Sequence, residues 1–366
     1  MPPANLHALL KPVRLGPITL PTPLMQAGLA GYSDRAMRVV ARRRGCPYAV
    51  TEAILDQTLL AGGKGLKQSI DINDDDHPVA GQIMGSDPAE MTRAAIIMAE
   101  HGYDVVDLNF ACPVKKVQRR SRGGWMLADT DRGIAILRAV RDALPNHPIS
   151  VSMRRGFDDQ AESEDRFWTL ANEARSVGCV ALRVHGRTVE QKYAGRSKRP
   201  FLGEVKKAFA DWTIWGSGDV FEPQDAVDML SATGVDGVWI ARGAIGNPWI
   251  FRDTLRLLRG EDIPPPTVFE QRDALAEHFE IAMAIHGEAM AGRRMRKLGI
   301  KYARFHPEAN AVKGRFIATK SLADWQGVLG DFYAADGPGV RPPREVVDEV
   351  NTTCEPAGAQ PLESST

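Results

Sequence analysis

Residues 104–113, DVVDLNFACP, pass from a short apolar run into an amide, a thiol and a proline. A run this short, dense in β-branched residues, suits a strand buried on both faces. Working outward, seven further runs of the same kind recur at helix-length intervals: 22–27 (TPLMQA), 48–52 (YAVTE), 79–83 (VAGQI), 148–152 (PISVS), 179–184 (CVALRV), 213–216 (TIWG) and 236–240 (DGVWI). Eight strands is the number a closed parallel barrel needs. Helical periodicity fills 88–101 behind Asp87, then 130–144, and 223–233 behind Glu222-Pro223. Glu52, Gln82, Asn109, Cys112, Arg154, His185 and Asp219 all stand where the apolar runs end, the face on which barrels carry active sites. An open doubly wound sheet would place G-x-G-x-x-G after the first strand, and Ala27-Gly28-Leu29-Ala30-Gly31 does not match it. The expected fold class is α/β, a (β/α)8 TIM barrel followed by a small C-terminal all-helical domain.

A chain of 366 residues holds such a barrel, which takes about 250 residues, and an appendage. The barrel is expected over 1–260. Ile263-Pro264-Pro265-Pro266 reads as a stiff connection. Helical spacing in 267–290 (Phe269, Leu275, Phe279, Ile281, Ile285), 294–304 and 321–333 defines a helical unit over 261–333. From 334 to 366 the chain is rich in Pro, Gly and Ser and is expected to be disordered. Ser33 or Asp34 is expected to cap the first helix, without a capping box, because Ala36 stands where Glu or Gln would be needed. Asp74, Asp75 and Asp76 read as a surface turn.

The composition, 43% hydrophobic and 25% charged, is that of a globular enzyme. Lys+Arg and Asp+Glu both total 46, so overall charge gives no support for a nucleic-acid partner and any support must be local. Cys46, Cys112, Cys179 and Cys354 form no C-x-x-C pair, which argues against zinc, a redox dithiol or a disulfide framework; no metal is expected. The start lacks a signal-peptide core, and no stretch approaches the ~20 apolar residues of a membrane span. A cytoplasmic protein is expected, with no membrane partner and with a monomer as the default state.

A cysteine just past a strand end and fixed by a proline can act as proton donor or nucleophile, since its ordinary pKa of about 8.5 keeps it mostly protonated; it can equally be a small buried hydrophobe. Trp215-Gly216-Ser217-Gly218-Asp219 and Ile240-Ala241-Arg242-Gly243-Ala244-Ile245-Gly246-Asn247-Pro248 follow the last two runs. Glycine-freed amides with an arginine beside them suit a phosphate, or they are tight turns alone. Lys115, Lys116, Arg119, Arg120 and Arg122 form one basic cluster, and Arg293, Arg294, Arg296, Lys297, Lys301 and Arg304 a second; each is either a solvated face or a phosphate-backbone contact. The run Arg42-Arg43-Arg44 is ambiguous. Trp125 lines an entrance or a core.

The segments Asn109-Phe110-Ala111-Cys112-Pro113-Val114-Lys115-Lys116, Val184-His185-Gly186-Arg187-Thr188 with Gln191 and Tyr193, Gly218-Asp219-Val220 and Arg242-Gly243-Ala244-x-Gly246-Asn247-Pro248-Trp249 resemble, in order and spacing, the signatures of bacterial-type tRNA-dihydrouridine synthases. The likeness runs from about Leu24 to Tyr302 and includes Ala30-Gly31-Tyr32-Ser33-Asp34, Thr51-Glu52 and Gln82-x-x-Gly85-Ser86. It implies a barrel holding FMN, NADPH as reductant, tRNA as substrate, and an oxidoreductase that transfers hydride to C6 of an extruded uracil. It implies Cys112 as the acid at C5. Cofactor contacts carried over are Ala27, Gln82, Asn109, Arg154, His185, Ser217, Gly218, Asp219, Arg242 and Gly243. Substrate contacts are Asn109, Lys115, Lys116, Arg119, Arg120, Arg187, Arg296 and Lys297.

Four departures stand out, the first being Ala27-Gly28-Leu29 where the family has A-P-M. Ser152 occupies the place of the family's flavin-contacting lysine, with Arg154 and Arg155 the nearest basic residues; Ser217 replaces the asparagine of N-G-D; Ala111 replaces the glycine of G-C-P. Loss of that lysine would weaken FMN or lower its potential. A flavin barrel reducing a small metabolite and a degenerate, non-catalytic RNA-binding paralogue are the alternative readings at this point.

Overall fold

A computed structural model describes residues 6–343. An antiparallel hairpin, β1 (Val13–Leu15) and β2 (Ile18–Leu20), comes first. The barrel strands are β3 (Leu24–Gln26), β4 (Ala49–Val50) with its short prolongation β5 (Ile54–Leu55), β6 (Val79–Met84), β7 (Val105–Phe110), β8 (Ile149–Arg154), β9 (Ala181–His185), β10 (Thr213–Ser217) and β11 (Gly237–Ile240). All pair in parallel, and β4 joins both β3 and β6, so the sheet closes. The eight apolar runs of the sequence are these eight strands. The hairpin was not expected. It packs Val13, Leu15 and Leu20 against Met25, Tyr48, Val105, Ala181, Trp215 and Trp239, plugging the end of the barrel opposite the strand C-termini.

Helices α1 (Arg35–Arg42), α2 (Asp56–Ala61), α3 (Lys64–Ser69), α4 (Pro88–Glu100), α5 (Lys115–Gln118), α6 (Thr130–Ala143), α7 (Ala161–Ser176), α8 (Arg199–Ala208) and α9 (Pro223–Thr233) connect the strands, and α10 (Trp249–Leu258) follows the last of them. Local chemistry fixes their ends. Asp87 accepts from the Glu90 N–H and Pro88 fills the first turn of α4; Glu222 and Asp225 make a capping box on α9, which ends on left-handed Gly234. At α1 it is Asp34 that caps, through Met37 N–H, while the Ser33 hydroxyl turns to the Ala27 carbonyl.

The C-terminal unit is α11 (Val268–His286), α12 (Glu288–Tyr302), α13 (Ala309–Ala318) and α14 (Leu322–Phe332). The periodicity read as one helix over 267–290 breaks at Gly287, whose positive φ of 73° turns the chain. Phe279 stacks on Trp325 at 4.2 Å inside this unit, and Trp249 of α10 meets Tyr302 and Phe305 edge-on across the junction with the barrel. The ambiguous arginine run has a structural use: Arg43 and Arg44 both reach Glu277 on α11.

Two surface readings change. Asp76 is fully buried, bound by Arg38 at 2.5 Å with Arg42 at 3.4 Å, so the triple-aspartate turn is anchored inward by its last member. In the tail expected to be disordered from 334, the first ten residues are described and packed: Gly337 accepts from Val268 N–H and Val340 N–H reaches the Phe305 carbonyl. Backbone pairing with the helical unit supplies what the polar composition of that segment lacks. Residues 344–366, with Cys354, lie outside the described residues.

Candidate active site

Alternation along each strand sends every second side chain into the barrel, so Asp107 and Asn109 of β7 share the interior with Gln82 of β6 and with Ser150, Ser152 and Arg154 of β8. Gln82 donates its amide N–H to Asp107 at 2.6 Å, and Asn109 donates to Gln82 Oε1 at 2.8 Å. Asn109 Oδ1 then accepts from the backbone N–H groups of Ala111 and Cys112, both at 3.0 Å. The thiol-bearing turn past β7 is thereby fixed from below. From above, the Cys112 carbonyl accepts from Gly124 N–H at 3.0 Å, and Gly123, at φ 58°, leaves room that a Cβ would take from the Cys112 side chain. Trp125 in the same turn is half-buried and meets Phe157 edge-on.

Burial raises the Cys112 thiol above its ordinary value, and the Val114 N–H and nearby Arg154 offset this only in part. The group is a neutral S–H, suited to giving a proton rather than attacking as thiolate. Cys46 and Cys179 are buried deeper and pushed up to about 11 and about 12, as inert thiols would be.

A cationic corner lies alongside. Arg154 is buried, with its guanidinium on the carbonyls of Ala111 (2.9 Å), Thr188 (2.9 Å) and Lys192 (2.6 Å), and burial lowers it to about 10. Arg38, Arg122, Arg183 and Arg187 are buried too, yet each has a carboxylate partner; among the described residues Arg154 is the buried arginine that lacks one. Asp219, itself at a positive φ of 54°, holds Arg187 at 2.7 Å and stands 3.7 Å from Arg242, whose guanidinium also lies over the rings of Tyr193 and Phe221. Burial first, then Arg154, Arg187 and Arg242, drive His185 well below its usual range, so it is neutral. Its Nδ1 accepts from Arg187 N–H, which leaves the proton on Nε2 as a donor. One carboxylate among three guanidiniums is a site for an anion, and a phosphorylated cofactor fits that donor set.

The structure thus brings Gln82, Asn109, Cys112, Arg154, His185, Ser217, Asp219 and Arg242 to one mouth, with Ala27 past β3 and Gly218 and Gly243 past β10 and β11. Ser217 donates to the Trp239 carbonyl, and Ser152 to that of Leu108 at 3.4 Å. Of the basic residues, Lys115, Lys116, Arg119, Arg120 and Arg296 are exposed, and Lys297 is half-buried over the Tyr32 ring at 3.7 Å. Arg187, expected to meet substrate, is fully buried on Asp219 and the Ala194 and Gly195 carbonyls; its place is beneath the anion corner, not on the surface. Arg122 is likewise withdrawn, to Asp56, and Arg294 to Asp34 and Glu52. Asp107, Ser150 and Arg183 were not anticipated. Counting back by two from Asn109 and His185 would have found Asp107 and Arg183.

The fold and this mouth define an α/β barrel that combines a neutral thiol with an anion corner. Residues 25–325 match the family model described as "Dihydrouridine synthase (Dus)". The chain is 31% identical over 332 residues to tRNA-dihydrouridine synthase B of Xanthomonas campestris pv. campestris, covering 90% of this chain and 98% of that one, and 33% identical over 323 residues to tRNA-dihydrouridine synthase B of Pseudomonas aeruginosa, covering 88% and 96%. Among solved structures, a 2-naphthoyl-CoA reductase complex aligns with a TM-score of 0.52 at 15% identity over 70% of this chain and 53% of that one, a likeness of fold. The chain belongs to the dihydrouridine synthase family, whose members are flavin-dependent oxidoreductases.

Proposed function

We propose that this protein is a cytoplasmic tRNA-dihydrouridine synthase that uses FMN, reduced by NADPH, and Cys112 as general acid. The observation that carries the reading is the neutral, half-buried thiol of Cys112 at the barrel mouth, on a turn whose backbone is held by Asn109. When bound, the reduced flavin supplies the hydride for C6 of uracil. Cys112 Sγ–H gives the proton to C5, and the thiolate so formed regains one from solvent. Arg242, His185 and the Gly218 and Gly243 turns would hold the phosphate end of the cofactor, with the buried, uncompensated charge of Arg154 adding to the pull on an anion. Gln82, Asn109, Ala27 and Ser217 would border its ring, and Asp219 would serve by orienting Arg242 rather than by contact.

The exposed cluster Lys115, Lys116, Arg119 and Arg120 beside the thiol, with Arg296 and Lys297 on α12, is suited to the tRNA backbone. No described helix is long and apolar enough to cross a membrane, and Cys46, Cys112 and Cys179 are free thiols. The test is Cys112→Ala. The variant should keep its flavin spectrum and its NADPH oxidation while dihydrouridine formation in tRNA falls by at least ~10²-fold, the usual weight of a positioned acid. Undiminished product would remove the assignment.

A further inference from the structure

The hydrogen-bond chain under Cys112 runs between fixed ends: the Ala111 and Cys112 N–H groups can only donate, and Asp107 at the other end can only accept. Gln82 and Asn109 are amides, each able to present either end to a neighbour. Asp107, fully buried, orders them from the barrel side, since its ionised carboxylate can only accept. Its Oδ2 takes the Gln82 Nε2–H at 2.6 Å, which turns Gln82 Oε1 toward Asn109. Oε1 takes the Asn109 Nδ2–H at 2.8 Å, which leaves Asn109 Oδ1 facing the Ala111 and Cys112 N–H groups. The charge is kept by the other end of the row. Arg183 of β9 pairs with Asp107 Oδ1, and Ser150 donates to the same oxygen at 2.9 Å while accepting from Arg183 at 3.0 Å. Arg183 is buried too, with its guanidinium 5.6 Å from the Trp239 ring. Strand register assembles the row: Gln82 lies opposite Asp107, Asp107 opposite Ser150, Asn109 opposite Ser152, and Ser152 opposite Arg183.

We propose that Asp107 and Arg183 are positioning residues that fix both amide orientations and so hold the Cys112 turn in its proton-donating pose. The inference rests on Cys112 being the acid. Without Arg183 a buried lone carboxylate would take up a proton and gain a donor end that opposes the Gln82 Nε2–H, loosening the chain that seats the Cys112 turn. The asparagine of Asp107→Asn has one accepting end, whereas Arg183 and Gln82 both require acceptors, so one contact becomes donor against donor. The double variant Asp107→Asn/Arg183→Met removes that conflict: the new amide can donate to Ser150 and accept from Gln82.

The experiment follows iodoacetamide alkylation of Cys112 in the FMN-loaded, full-length protein across neutral to alkaline pH. Peptide mass spectrometry counts Cys354 separately, and dihydrouridine formation is measured in parallel. We expect Asp107→Asn to alkylate about tenfold faster, as loss of one buried hydrogen bond allows, with the double variant returning to within about twofold of the parent. A double variant no better than Asp107→Asn, or an Asp107→Asn protein indistinguishable from the parent, would overturn the proposal. Where Asp107→Asn does not fold, Arg183→Met decides: its alkylation should gain a pH step that the parent lacks, and a constant ratio between the two across pH would overturn it. Failure of the acid assignment is read apart, because Cys112→Ala would then still form product whereas the alkylation rates report the turn itself.

Discussion

Arginine does opposite work in two regions of this molecule. In the interior of the molecule, Arg38, Arg122, Arg154, Arg183 and Arg187 are buried, and their guanidiniums are held by named carboxylates or carbonyls. On the rim, Arg119, Arg120, Arg293 and Arg296 are exposed, in company with Lys115, Lys116 and Lys301. The residues are chemically alike and some are neighbours in sequence: Arg122 is two positions from Arg120, and Arg294 two from Arg296. Burial separates their roles. A desolvated guanidinium must be matched by fixed acceptors, and removing its partner leaves a stranded charge; an exposed one loses little in water and keeps its charge for a mobile polyanion.

The sharpest break should come at the best-matched buried pair. Arg38→Met leaves fully buried Asp76 with only the longer Arg42 contact at 3.4 Å and also frees the Ser33 and Asp71 carbonyls. A loss of about 3–5 kcal/mol is expected, measured as a shift in the denaturation midpoint. Arg242→Ala should spare stability more but cost FMN about 2 kcal/mol of affinity, the worth of a charge-assisted hydrogen bond, seen in a flavin titration of the apoprotein.

A comparable effect ties the domains together. Burial alone would raise the Asp34 carboxyl, but the His286 hydrogen bond, with Arg294 and the Met37 N–H, brings it down to about 2 from 3.8. A carboxyl depressed in the folded state stabilises above its unfolded value and ceases to as pH falls from about 4 through about 2, here by roughly 2 kcal/mol. Asp34→Asn should therefore narrow its stability deficit against the parent over that window. A deficit unchanged between neutral pH and pH about 2 would detach Asp34 from the junction.

The barrel was legible because its strands are buried on both faces and so print as uninterrupted apolar runs, and the mouth was legible because polar residues end those runs. The hairpin at 13–20 was not, since two three-residue strands carry too little pattern. Asp107 and Arg183 were missed for a different reason: a charge inside an apolar run reads as an interruption until its partner on the next strand is known. Arg187 misled because its motif places the residue near the barrel mouth while saying nothing of which way the guanidinium turns. The first residues past 334 misled through composition, as their order comes from two backbone hydrogen bonds to distant elements, Val268 and Phe305.

The rim supplies the smallest and most discriminating effect. Arg296→Ala removes an exposed guanidinium, so its melting behaviour should stay within about 0.5 kcal/mol of the parent. Its tRNA affinity should weaken, and the slope of log affinity against log salt should fall by about 0.7–0.9, the release of one phosphate's counterions. Arg294→Ala, one half-turn away on α12, should show the reverse: lower stability through loss of Asp34 and Glu52, with the salt slope nearly unchanged. If both variants altered the slope equally, burial would not be what sorts these arginines, and the division between a structural interior and a nucleic-acid rim would have to be redrawn along the helix instead.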